Sequence, residues 1–120
     1  DTVLMVSPLT SGNRIRDIAK NTSGFVYLVS RLGVTGARKD LKESTLSLIR
    51  KIRQFADKPL CVGFGISSPA HVRNVIEAGA DGAIVGSAIV DLIAGNLDDK
   101  KKMLDEIGNF IRDLKKSTIR

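Results

Sequence analysis

Glycines that end apolar runs are the part of this sequence best suited to chemistry. Gly63-Phe64-Gly65-Ile66-Ser67-Ser68-Pro69 and Val85-Gly86-Ser87-Ala88 each lead from a β-rich run into a helix-period segment. Glycine lets a backbone come close to an anion, the free N–H groups at a helix start donate to it, and the helix dipole favours its negative charge. That chemistry is phosphate binding. A third stretch, Leu32-Gly33-Val34-Thr35-Gly36-Ala37-Arg38, follows Val29-Ser30-Arg31 and precedes a long helical segment. Such a loop is suited to close over a ligand and to add the Gly36 N–H to the same phosphate.

Rival chemistries fit these residues less well. Gly63-x-Gly65-x-x-Ser68 lacks the third glycine of a dinucleotide fingerprint, and no acidic residue ends a following strand about 20 residues on. Ser87 stands in Val-Gly-Ser-Ala-Ile without the second glycine of a nucleophile elbow, and the lone His71 falls within a helical segment. Cys61 is the single cysteine and sits in an apolar run, so a buried, inert thiol is expected. Neither a disulfide framework nor a multi-cysteine metal site is available, and no metal is expected.

The elements that must position the glycines follow from the pattern of apolar residues. β-rich runs recur at 3–6, 25–29, 60–64 and 82–85, each followed by a segment of helical period. Ile15, Ile18 and Ala19 share one face of the first helical segment; Leu41, Leu48, Ile49, Ile52 and Phe55 recur along the second. The third carries Val72, Val75 and Ile76, opens at Ser68-Pro69 and closes at Gly79. The last, with Met103, Leu104, Ile107, Phe110, Ile111 and Leu114, has the clearest stripe, and all four stripes are expected to be core. The strand runs are nearly continuous in apolar residues, as parallel strands covered by helices require. Four βα units point to an α/β fold with a parallel sheet, either doubly wound or half of an eight-fold barrel. In such a barrel the last two strand ends and a short extra helix commonly hold a phosphate, and residues 87–93, ended by Gly95-Asn96, suit that helix.

Composition narrows the class further. The chain has 120 residues, 42% of them hydrophobic and 27% charged, with a formal charge of +6. These fractions, without a run of about 18 apolar residues, argue against disorder and a membrane span. The basic surplus is spread over helix faces and the C-terminal tail, with four Phe and one Tyr as the only aromatics, so no nucleic-acid surface is expected. Asp1 stands just before the run at 3–6 in place of an initiator Met, and a processed or truncated piece of a longer protein is the expectation.

With these residues in view, the chain resembles the C-terminal half of the tryptophan synthase alpha chain family. Tyr27-Leu28-Val29-Ser30-Arg31-Leu32-Gly33-Val34-Thr35-Gly36-Ala37 is similar to that family's sixth strand and mobile loop. Val62-Gly63-Phe64-Gly65-Ile66-Ser67 resembles its seventh strand end and Ala83-Ile84-Val85-Gly86-Ser87-Ala88 its eighth. Pro8-Leu9-Thr10 with Arg14-Ile15 resembles the end of its fifth strand and the helix beyond. The resemblance implies one unit over residues 1–120, a parallel (βα)4 half of a TIM (β/α)8 barrel with an extra short helix after the last strand.

It also implies a lyase of tryptophan biosynthesis, which cleaves indole-3-glycerol phosphate to indole and glyceraldehyde 3-phosphate by a retro-aldol reaction. Indole then passes to a partner beta chain, and pyridoxal phosphate belongs to that partner alone. By the same resemblance Gly36, Gly65, Gly86 and Ser87 contact the phosphate, and Tyr27 and Phe64 line the substrate pocket. Thr35 acts in loop closure and orients a catalytic carboxylate, while Arg31 and Gly33 belong to the mobile loop. The family's two acid–base carboxylates fall in the first half of the barrel and match no residue here. Asp17, Asp40, Glu43, Asp57 and Glu77 belong to helical segments or their ends. No catalytic residue is therefore expected in this chain, and the piece alone is expected to be inactive. Its partners would be a complementary N-terminal half-barrel or a second copy, and its compartment the cytoplasm, or the plastid stroma in a photosynthetic eukaryote. Another phosphate-handling barrel, of flavin mononucleotide or thiamine-phosphate type, and a non-catalytic phosphate-binding half-barrel stay open as alternatives.

Overall fold

Strand and helix alternate four times through the residues that the computed structural model describes, 1–30, 43–63 and 65–119. The strands are β1 Leu4–Val6, β2 Val26–Val29, β3 Leu60–Gly63 and β4 Gly82–Ile84. The helices are α1 Gly12–Asn21, α2 Glu43–Arg53, α3 Pro69–Glu77, α4 Ser87–Ala94 and α5 Lys100–Lys116. All strand pairs are parallel, in the order β1-β2-β3-β4. Parallel crossovers are right-handed, so strands that follow one another without a reversal put every connecting helix on the same face. A doubly wound sheet needs a reversal and helices on both faces. Of the two architectures open to the sequence, the observed order selects the barrel type.

Register divides the sheet into two unlike faces. Val6, Leu28 and Val62 lie in one row, Val26 and Leu60 in another, and all five are fully buried under the helices. The row between them, Met5, Tyr27, Cys61 and Gly82, points to the opposite, concave side. There Met5 is 58% exposed, and Tyr27, Cys61 and Gly82 are half-buried. Cys61 thus departs from the expectation of a fully buried thiol, because its place in the alternation aims it away from the helices. Burial still pushes its thiol above the ordinary value, the Asp81 carboxylate adds to this, and Arg53 opposes it.

Each helix forms for a local reason. α2 buries Thr45, Leu48, Ile49 and Ile52, spaced three, four and seven apart as one face requires; Leu41 lies outside the described residues. α3 starts where the Ser68 hydroxyl accepts the His71 N–H at 3.2 Å with Pro69 in the first turn. It is left through Gly79, whose φ of +118° only glycine adopts without strain. α5 starts at Asp99, whose carboxylate accepts the Lys102 N–H at 3.0 Å.

α5 corrects one expectation. Leu114 is buried, but Leu104 is 59% and Ile111 42% exposed, so only one side of the stripe is core. α4 has no buried residue and Val90 is 60% exposed. Both helices flank β4, an edge of the sheet, and the apolar surface turned past that edge meets no neighbour among the described residues. The N-terminal strand ends are tied by one cation. Arg53 donates from Nε to the Gly79 carbonyl at 2.7 Å, from Nη1 to the Lys58 carbonyl at 2.9 Å, and from Nη2 to the Asp81 carboxylate. Asp81 accepts the Leu60 N–H at 2.9 Å through the same oxygen. No helix among the described residues is long and apolar enough to cross a membrane.

Candidate functional site

The C-terminal ends of the strands carry the glycine turns. Gly63 pairs with Ile84 in the register of β3 and β4, and Gly65 and Gly86 each stand two residues farther on. The turns therefore leave two adjacent strands at the same end of the sheet. Gly65 has a φ of +79°, which lets the chain reverse out of β3, and nothing among the described residues lies within 4 Å of where its Cβ would be. The same holds, among the described residues, at Gly86, the residue that caps α4. Its carbonyl accepts from Ile89 and Val90, so the N–H groups of Ser87 and Ala88 in the first turn have no acceptor among the described residues. Donors of this kind, together with the helix dipole, are chemically suited to an anion.

Tyr27 rises from the concave face of β2 and lies across β3. A Cβ at Gly63 would come 2.6 Å from its Cζ and 2.9 Å from its Cε1, and would also meet the hydroxyl oxygen. Only a glycine at 63 lets the ring lie there. Ser30 joins the same two strand ends: its N–H and its hydroxyl both donate to the Gly63 carbonyl, at 3.1 Å and 2.9 Å, and its own carbonyl accepts from Thr45 at 3.3 Å. His71 is 3% exposed, and its Nδ1 faces the Ser67 N–H at 3.3 Å and the Ser67 hydroxyl at 3.4 Å. Because the backbone N–H can only donate, Nδ1 accepts and the ring proton of the neutral form sits on Nε2. The lone histidine is thus a brace for the turn after β3.

Tyr27, Gly65, Gly86 and Ser87 are brought to one rim of the sheet. Arg31, Gly33, Thr35, Gly36 and Phe64 lie outside the described residues. The supporting roles of Gly63, Ser30 and His71 at this rim were not visible in the sequence. Gly63 stood inside a motif already singled out, but the residue that needs its missing side chain is 36 positions away.

No carboxylate stands on the concave face among the described residues. Asp17 and Glu77 lie on α1 and α3, Glu43 opens α2 and pairs with Arg50 at 3.1 Å, and Asp57 follows α2. Asp40 lies outside the described residues. No three His, Cys, Asp or Glu side chains group to hold a metal among the described residues. A cavity of about 520 Å³ opens beside Arg53, Glu77, Asp81 and Ser117. It surrounds the Arg53–Asp81 clamp at the opposite end of the strands, where barrels keep stability apart from chemistry.

Comparison with known proteins agrees with this geometry. The sequence pattern of the family described as tryptophan synthase alpha chain matches residues 1–119. The tryptophan synthase alpha chains of Methanothermobacter thermautotrophicus and Methanopyrus kandleri are each 47% identical, over 96% and 99% of this chain and 43% and 42% of their own lengths. The Arabidopsis thaliana chain is 43% identical over 98% of this chain and 42% of its own. A solved structure of the tryptophan synthase a2b2 complex from Pyrococcus furiosus superposes with a TM-score of 0.81 and 34% identity, covering 94% of this chain and 44% of that one. This chain thus spans less than half the length of the relatives it matches, and its four βα units form half of a TIM barrel. The chain belongs to the tryptophan synthase alpha chain family.

Proposed function

We propose that this chain is the phosphate-binding half of an alpha subunit that cleaves indole-3-glycerol phosphate to indole and glyceraldehyde 3-phosphate. The observation that carries the reading is the alignment of Gly65 and Gly86 at adjacent strand ends, where no described residue fills the space before either glycine or accepts the N–H donors at the start of α4. In this reading the N–H groups of Gly65, Gly86 and Ser87, with that of Gly36, hold the phosphate. Tyr27 and Phe64 flank the indole, and Thr35, with Arg31 and Gly33 in its loop, closes over the substrate. Anchoring a part of the substrate that does not react fixes the scissile bond in place, which is how remote binding energy lowers a barrier.

The reaction itself moves two protons. One is delivered to indole C3 and one is taken from the hydroxyl on the carbon attached to it, while the carbon–carbon bond breaks and the aldehyde forms. The described residues put no carboxylate on the concave face to do this, so in this reading the acid and base belong to the other half of the barrel and this chain alone binds without turnover. No cofactor takes part on this side; pyridoxal phosphate would act only in a beta chain that consumes the indole. The compartment in this reading is the cytoplasm, or the plastid stroma in a photosynthetic eukaryote.

The test is a lyase assay on this chain mixed with the complementary half of the Methanothermobacter relative. Turnover is expected only in the mixture, and Gly86→Asp, which sets a carboxylate where the phosphate would lie, is expected to raise KM at least about tenfold while binding of the two halves persists. Turnover by the chain alone, or a KM unmoved by Gly86→Asp, overturns the assignment.

A further inference from the structure

The two glycine turns use their N–H groups differently. At the start of α4 the Ser87 and Ala88 donors meet no acceptor among the described residues. At the start of α3, by contrast, Ser67 gives its N–H to His71 Nδ1 at 3.3 Å, His71 gives its own to the Ser68 hydroxyl at 3.2 Å, and Pro69 has none to give. The turn after β3 is thus closed on itself by its own residues.

The tie between Ser67 and the ring is what fixes the direction of that turn. Gly65, at a φ of +79°, belongs to the residue type with the widest backbone range, so its amide is aimed by whatever holds the chain beyond it. Two anchors do so: the Ile66 side chain enters the core, and the Ser67 N–H is held by Nδ1. The ring itself cannot drift, because it is buried on a helix whose Val72, Val75 and Ile76 are all in the core. Ser67 is exposed, so water could replace the ring as an acceptor, but water would not keep the turn in place.

Resting on the function proposed above, we infer that His71 is a positioning residue for the phosphate: by accepting the Ser67 N–H it holds the Gly65 amide at the spacing from the α4 donors that one anion requires. It acts through Ser67 and touches no part of the substrate. Donors on two separate turns can share an anion only while their spacing holds, since a misplacement of about 1 Å is enough to weaken such contacts severely. The role needs an acceptor at the Nδ1 position and nothing else of the imidazole.

The experiment is the lyase assay on this chain mixed with the complementary half of the Methanothermobacter relative, read as KM and kcat. The inhibition constants of inorganic phosphate and of indole probe the two parts of the substrate separately. His71→Leu keeps an apolar filling and loses the acceptor; it is expected to raise KM and the phosphate constant together about fivefold, with kcat and the indole constant within about twofold of their starting values. His71→Asn, whose side-chain oxygen can stand where Nδ1 does, is expected to restore both. Val75→Ala removes buried methyl groups from the same helix without touching the turn, and is expected to lower the urea midpoint while leaving every constant unchanged. A phosphate constant unmoved by His71→Leu, a loss that His71→Asn does not recover, or equal changes in the phosphate and indole constants overturns the positioning role. So does failure of His71→Leu to assemble under conditions where Val75→Ala does. If Gly86→Asp still raises KM in the same assay, the phosphate reading survives that failure; if it does not, or if the mixture is silent, both fall.

Discussion

Gly63→Ala sets a methyl group where the Tyr27 ring lies. The added Cβ would stand 2.6 Å from Cζ and 2.9 Å from Cε1, against about 3.5 Å for carbons in contact, so the ring must retreat by about 1 Å. Overpacking of this size costs about 1–3 kcal/mol. Gly63 lies in a regular strand with no positive φ, so the backbone itself accepts alanine and gains about 0.5–1 kcal/mol from reduced chain entropy. The clash outweighs this gain only while Tyr27 is present. In a Tyr27→Leu background the same alanine is therefore expected to be neutral or stabilising. Urea unfolding of the four members of this cycle, at one protein concentration, measures the coupling, expected near 1–2 kcal/mol and of the sign that makes the double variant better than the sum of the singles. Equal costs of Gly63→Ala with and without Tyr27 would falsify the packing argument.

Arg53→Ala removes three donors at once from Gly79, Lys58 and Asp81. With the Arg53 side chain 27% exposed the loss is expected at the lower end of the range for unsatisfied partners, about 1–2 kcal/mol, read as a lower urea midpoint with m unchanged. Ser68→Ala deletes the hydroxyl that caps α3 and is expected to cost about 1 kcal/mol in the same assay, with Ser68→Asp close to neutral. The raised Cys61 pKa leaves less thiolate at neutral pH than an ordinary cysteine has. Alkylation of Cys61 by iodoacetamide is expected to be slower than that of a free thiol at pH 7 and to rise only above the ordinary thiol range; a rate equal to glutathione's across that range would contradict the burial cause.

Much of this architecture was legible in the residues. The four strands and the glycines at their ends follow from local chemistry, since apolar runs and turn residues act on near neighbours. Periodicity could not choose between barrel and doubly wound sheet, because strand order is a property of long-range pairing; the glycine-rich strand ends and the family resemblance pointed to the half-barrel, and the observed strand order agrees. The α5 stripe was read as core throughout, yet Leu104 and Ile111 are exposed, because a hydrophobic face records what a helix is built to meet and says nothing of whether that neighbour belongs to the same residues. Tyr27 was legible as an aromatic near the site, but its bed on Gly63 was not, since the contact joins different strands. His71 looked like an isolated helical histidine until the turn before α3 brought the Ser67 N–H onto its ring.

The clamp of Arg53 and Asp81 grips the base of the sheet, a full strand length away from the glycine corner. The rim has structural duties of its own, since Gly63 makes room for Tyr27 and Gly65 turns the chain at a positive φ. Tolerance of substitution there is confined to positions such as Gly86, where an added side chain meets nothing within 4 Å among the described residues.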